Sequence, residues 1–340
     1  MRYSKILSKV IKIAKMLDYN NKIMTTWNFI KSEMGGNNIK YDKANILNTD
    51  KEYNKSVNVD IFNKYILTIA ETISCKITIN NKQIISCTQY SLSYLSQIFN
   101  LPFTNNVFHN TSTGEIEKII HSFPWKNSCG YNEISMKILQ ISAPFIGSPL
   151  CCIINTLLNS SVFPTRLKYS IITPLHKKGD KNNVSNYRPI SLITSFSTIF
   201  KKIIYNRLIT HITSNNIFTN SQFGFGKKSP TYKAAYKLIN DILIALNNKR
   251  MVGGILFDLE TAFDCVNNDI LLAKMEYYGI RGVMYTSIKS YLQNRHQMVK
   301  FNNKLSKWDK INMGVPQGSV LGPLFFLIYI NDLPFVIPCT

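Results

Sequence analysis

Acidic residues are scarce in this chain: its 340 residues carry 19 Asp+Glu against 40 Lys+Arg, a net charge of +21. The basic excess is spread along the chain rather than gathered in one terminal arm, which points to a polyanionic partner, nucleic acid being commoner than an acidic membrane. A glycosidase built on Asp258, Glu260 and Asp264 is disfavoured by the same imbalance, which serves no sugar substrate. Long apolar runs are missing too. The longest, residues 320–330, is interrupted by Gly322-Pro323 and is shorter than the ~20 residues that cross a bilayer, so no membrane-spanning segment is expected. Residues 1–17 are basic with apolar positions at helical spacing, yet lack the apolar core and cleavage site of a secretory signal, and are read as an amphipathic helix. The seven cysteines form no C-x-x-C pair and the five histidines are scattered, so no soft-ligand metal cluster is visible. The cysteines are read as reduced thiols, which places the chain inside the cell, in nucleus or cytoplasm.

At 45% hydrophobic, the chain has enough apolar residues for one large or two ordinary cores. Residues 25–31 and 60–72 have helical spacing, and residues 75–110 are polar and expected to be loosely structured. Beyond residue 111 the pattern tightens. Helices are expected over 113–123, 134–141 (stopped before Pro144), 145–159, 197–214, 230–247, 268–278 (closed by Gly279), 283–292 and 321–333. Strands are expected over 169–175 and 187–192, flanking a basic turn at residues 177–181, and near 297–301 and 307–313 around Asn302-Asn303. The mixture is α+β.

The chemistry concentrates at residues 253–264, GGILFDLETAFD. Residues 255–257 read as a buried strand, and Asp258 interrupts it with a carboxylate that packing does not call for. A charge buried there must be paired, protonated or bound to a cation, and Mg²⁺ takes hard oxygen ligands shared with phosphate and water. The alternative is that Asp258 is a helix cap or turn residue. On the basic hairpin, Lys177 and Lys178 are either a solvated turn or phosphate ligands. Arg188, wedged between Tyr187 and Pro189, offers a fork that can hold two oxygens.

Three segments occur in order: NYRPISL at 186–192, the stretch around Asp258, and MGVPQGSVLGPL at 313–324. Together with SQFGF at 221–225 and YINDL at 329–333, they resemble the reverse transcriptases of non-long-terminal-repeat (LINE-like, jockey-type) retrotransposons over residues 123–333. The resemblance implies polymerase fingers and a partial palm over residues 111–340, preceded over residues 1–110 by a connector, partly helical and partly irregular. It implies RNA-directed DNA polymerase activity with an RNA template, a DNA primer and deoxynucleoside triphosphates, and with Mg²⁺ or Mn²⁺ as cofactor. Asp258 and the Leu259 carbonyl become metal ligands, with Asp258 catalytic. Arg188, Lys177 and Lys178 fall near the triphosphate, and Phe263, beside Ala262, falls under the sugar. Gln317 and Gly318 lie against nucleotide and template. Asp264 and Glu260 are read as structural, with Asp264 capping the turn that follows. Gly226 stands where the family usually has arginine, with Lys227 or Lys228 as a substitute for its charge. No aromatic-Ala-Asp-Asp segment, the family's second metal-binding motif, occurs within these 340 residues, nor does a thumb. A truncated chain that does not polymerise alone is therefore expected. The other reading is a non-catalytic nucleic-acid-binding remnant.

Overall fold

The computed structural model describes residues 58–80, 95–97, 99, 103–106, 109–225, 230–259 and 261–336. The helices expected over 1–17 and 25–31, and the roles weighed for Gly226, Lys227, Lys228 and Glu260, lie outside the described residues. The chain divides into a unit of Met1–Tyr53 and one of Asn54–Thr340, and the described residues all belong to the second.

The first described element is helix α1 (Val59–Asn80), which runs on well past residue 75, where irregular structure was expected. Helix α2 (Thr113–Ser122) is capped by Ser112, whose hydroxyl accepts from the Glu115 amide, so the cap lies one residue before the expected start. Helix α3 (Met136–Asn159) contains both Pro144 and Pro149 and replaces the two shorter helices that proline's missing donor led us to expect. Its buried Leu139, Ala143, Ile154 and Leu158 join the main core, and that burial outweighs the two lost hydrogen bonds. By length and composition, this is also one helix long and apolar enough to cross a membrane, which the search for an uninterrupted run missed.

Strands β1 (Tyr169–His176) and β2 (Tyr187–Ile193) form the expected antiparallel hairpin, in a register that sets Leu175 opposite Arg188. Helices α4 (Ser195–Ser214) and α5 (Thr231–Asn247) follow, then α6 (Asn268–Tyr277) and α7 (Gly282–Leu292). Strand β3 (Arg295–Phe301) pairs parallel with β1 and turns through Asn302 and Asn303 into β4 (Lys304–Leu305); β5 (Asp309–Ile311) pairs antiparallel with β3. Both asparagines have positive φ, 50° and 58°, as a two-residue hairpin loop requires. The sheet order is β2-β1-β3-β4, with β5 also on β3. Helices α8 (Gly322–Ile330) and α9 (Leu333–Val336) close the described chain.

The main core gathers side chains of α2, α3, α4, α6, α7 and α8. A smaller cluster, Phe62 with Ile172 and Val299, fixes α1 on the sheet.

A further expectation fails at residues 255–257. They form no strand, and Ile255, Leu256 and Phe257 are 80%, 94% and 75% exposed. A strand apolar on both faces persists only when neighbours cover it and supply ladder hydrogen bonds, and among the described residues no strand pairs with this segment. Helix α5 likewise buries none of its residues.

Candidate nucleotide site

The hairpin tip is built by local polar bonds. The Lys177 amide donates to the Asn186 carbonyl (2.8 Å), the Asn186 side-chain amide donates to the Asp180 carbonyl (2.9 Å), and Gly179 takes φ +84°. His176, read from sequence as a strand-end residue, contacts the Gly179 carbonyl through Nε2 (3.1 Å). Lys177, Lys178 and Arg188 are all exposed, so their charges remain hydrated and open to an anion.

A second segment, residues 261–265, turns tightly, with the amides of Asp264 and Cys265 donating to the Thr261 carbonyl. The loop preceding α8 is sewn onto this turn. Val315 donates to the Phe263 carbonyl and Gly314 to the Val266 carbonyl, each at 2.9 Å. Gly314 has φ +82°, and a Cβ there would lie 2.7 Å from the Asp264 carbonyl oxygen, so only glycine fits without a shift. On its other side the loop meets the hairpin: the Ser191 amide donates to the Gln317 carbonyl (3.0 Å). Gly318, at φ +93°, continues along β2.

These contacts bring three distant segments around one cavity of about 460 Å³. Lys177 and Arg188 from the hairpin, Asp258 and Leu259, and Gln317 from the loop all line it. Lys178, Ala262, Phe263 and Gly318 do not line it. The Phe263 ring instead stacks on Phe326 of α8, with centroids 5.1 Å apart, and faces the edge of Phe225. Asp258 is exposed rather than buried, because the strand expected to enclose it does not form. Its charge therefore needs no buried partner, and it lines the cavity from an exposed position.

Asp264 departs from its expected role. Asn267 caps α6, accepting from the amides of Asp269 and Ile270, while the Asp264 carboxylate accepts from the Gln317 side-chain amide at 2.9 Å. Burial pushes the Asp264 carboxyl up to about 6, against the opposing pull of the Gln317 hydrogen bond and the Arg295 charge. Behind it, Arg295 is 3% exposed and donates to the Gly314 carbonyl at 2.7 Å. Lys201 of α4, 2% exposed, is pushed down to about 7, chiefly by burial and also by Arg295.

Two features escaped sequence reasoning. Asp264 and Gln317 are 53 residues apart and only the fold pairs them. Part of the cavity lining, Tyr65, Ile66 and Ile69 among others, comes from α1, where helical spacing reveals a buried face without saying what it faces.

Asp258 and Leu259, whose carboxylate and carbonyl oxygens the sequence reading offers to a divalent cation, both line the cavity. Among the described residues no group of three or more His, Cys, Asp and Glu is placed to hold a metal ion. Such hard oxygens suit Mg²⁺ arriving on substrate phosphates, which Mg²⁺ favours over an all-protein cage.

Residues 175–338 match the family model described as Reverse transcriptase (RNA-dependent DNA polymerase). Over 230 residues the chain is 35% identical to the probable RNA-directed DNA polymerase from transposon BS of Drosophila melanogaster, covering 65% of this chain and 24% of that protein. It is 31% identical over 227 residues to the RNA-directed DNA polymerase from mobile element jockey of the same organism, covering 66% and 25%. With the polymerase from transposon X-element the identity is 32% over 189 residues, 54% of this chain and 20% of that one. The chain thus spans about a quarter or less of the length of these curated relatives.

Proposed function

We propose, because residues 175–338 are those of a reverse transcriptase of the LINE-like, jockey-type non-long-terminal-repeat kind, that the cavity between the β1–β2 hairpin, Asp258 and Gln317 binds a deoxynucleoside triphosphate for RNA-directed DNA synthesis. The observation that carries the proposal is the convergence of Lys177, Arg188, Asp258 and Gln317, from three separate stretches, on one cavity. In this reading residues 111–340 are fingers and partial palm. The Arg188 guanidinium grips two phosphate oxygens as a fork, and Lys177 adds a point charge that Lys178 extends toward solvent. Asp258 and the Leu259 carbonyl offer oxygens to Mg²⁺ or Mn²⁺ carried by the triphosphate. A bound pair of such ions would neutralise charge on the transferring phosphoryl group and align the primer 3′-hydroxyl with the leaving pyrophosphate.

Gln317 presents an amide to sugar or template, and its orientation is fixed: an ionised Asp264 can only accept, so Nε2 turns toward it and Oε1 is left for the ligand. Phe263, whose ring stacks on Phe326 rather than lining the cavity, acts on the sugar only by holding the turn that carries Ala262 and Asp264, and Gly318, next to Gln317, allows close backbone approach to the template. The +21 charge holds RNA template and DNA primer with little sequence preference.

The second reading is a nucleic-acid-binding remnant without chemistry. The basic excess and the exposed Lys177, Lys178 and Arg188, which binding alone would use, favour it. The experiment that separates the two is primer extension on an RNA template with Mg²⁺ or Mn²⁺, using this protein and a chimera that adds the aromatic-Ala-Asp-Asp segment of a relative. Incorporation by the chimera that is abolished by Asp258→Asn, with template binding near normal, supports polymerase chemistry. Salt-dependent binding with no incorporation by either protein supports the remnant.

A further inference from the structure

Helix α1 is fastened to the sheet more firmly than a linker helix needs. Asn63, fully buried, donates to the Asp309 carboxylate (2.7 Å) and the Lys307 carbonyl (3.2 Å) and accepts from the Gln297 side-chain amide (3.0 Å). One turn earlier, Asp60 accepts from the Lys307 amide (3.1 Å). Phe62, 1% exposed, packs edge-on against Tyr187 at 5.0 Å and tilts against Phe301 at 5.2 Å. These bonds fix the rotation of the helix about its axis. Residues three and four positions on from Phe62 then share its face, and Tyr65, Ile66 and Ile69 stand along the cavity.

They are only half-buried there, whereas Phe62 and Ala70 on the same helix are buried. The cavity therefore carries both charge and apolar surface. Lys177, Arg188 and Asp258 supply the charge, and α1 supplies apolar and aromatic surface through Phe62, Tyr65, Ile66 and Ile69. Its volume, about 460 Å³, lies in the range of small-molecule sites. A nucleotide has the same division, with phosphates at one end and a flat, largely apolar base at the other.

We propose that Tyr65, Ile66 and Ile69 of α1 form the wall against which the base of a bound nucleoside triphosphate lies, making this helix part of the substrate site. The inference rests on the reading of the cavity as a nucleotide site and adds the base subsite to it. An apolar wall makes no hydrogen bond to a base edge, so it accepts all four bases alike and leaves selection to the template.

The test compares equilibrium binding of dATP, dCTP and inorganic tripolyphosphate to the full chain in the presence of Mg²⁺. Tripolyphosphate reports the charged residues alone. Wild type should bind both nucleotides at least about fivefold more tightly than tripolyphosphate, the lower end of what base stacking contributes. Ile66→Asn combined with Ile69→Asn should bring nucleotide affinity down to that of tripolyphosphate, leaving tripolyphosphate itself unchanged, which also shows that the fold persists. Tyr65→Leu, which keeps the wall apolar, should retain several-fold preference for nucleotide. Equal binding of nucleotide and tripolyphosphate by wild type, or an unchanged ratio in the double Asn variant, overturns the role of α1 while leaving the phosphate site of Arg188 and Lys177 intact. Failure of wild type to bind either ligand overturns the cavity assignment itself, and this inference with it.

Discussion

Lys274 and Asp332 form a buried ion pair behind the site, and removing one partner should cost far more than removing both. Lys274 Nζ lies 2.6 Å from Asp332 Oδ1 and 2.6 Å from the Tyr329 carbonyl, with side-chain exposures of 7% and 13% for the pair. Burial holds the Lys274 pKa below the usual lysine range even though the hydrogen bond and charge of Asp332 pull it back up. In Lys274→Met the methionine fills the space but leaves the Asp332 carboxylate without its partner, and the expected loss is about 3–5 kcal/mol. Pairing it with Asp332→Leu removes both charges and should recover most of that loss. The pair ties α6 to the end of α8, and α8 holds Phe326 against Phe263, so destabilisation there loosens the turn beside the cavity. For a chain of this size the single variant should melt about 5–10 °C lower by circular dichroism. Equal melting of wild type and Lys274→Met, or a double variant as unstable as the single one, would refute the argument that the penalty is an uncompensated buried charge.

Asp264 gives a pH signature. Its carboxyl is raised from 3.8 to about 6, so between those values the unfolded chain ionises first and stability falls as pH rises, by roughly 3 kcal/mol in all, levelling off above pH 6. Asp264→Asn keeps an oxygen for the Gln317 amide and should remove that fall, so the variant is the more stable one at pH 7 and equal to wild type near pH 4 in urea titrations. Gly314→Ala should lower the melting temperature by several degrees, because a Cβ would sit 2.7 Å from the Asp264 carbonyl oxygen at φ +82°, whereas Gly253→Ala, where nothing lies within 4 Å, should change little.

The sequence exposed the elements whose signals are local. The β1–β2 hairpin is legible because a basic Gly-Asp turn separates two apolar runs, and α4, α6 and α7 because each has helical spacing between clear stops, Gly279 among them. What it hid depends on neighbours. Pro144 looks like a stop until the apolar face of α3 is set in a core that outweighs it. Residues 255–257 look like a buried strand because their composition is apolar, but composition cannot supply the neighbouring strand that burial needs. At the site, Lys177, Arg188, Asp258, Leu259 and Gln317 were legible as motif positions and do meet at one cavity. The Asp264–Gln317 bond and the α1 wall were not legible, since each joins residues far apart in the chain through contacts that no short pattern encodes.

On the proposed reading, the cavity holds a triphosphate by Arg188 and Lys177 and its cation by Asp258. Equilibrium binding of dATP across a Mg²⁺ titration, for wild type, Arg188→Ala and Asp258→Asn, tests it directly. Wild type should tighten as Mg²⁺ rises, Arg188→Ala should be weaker at every Mg²⁺ concentration, and Asp258→Asn should lose the Mg²⁺-dependent tightening while keeping the affinity seen without the ion. Identical curves for the three proteins would contradict the account.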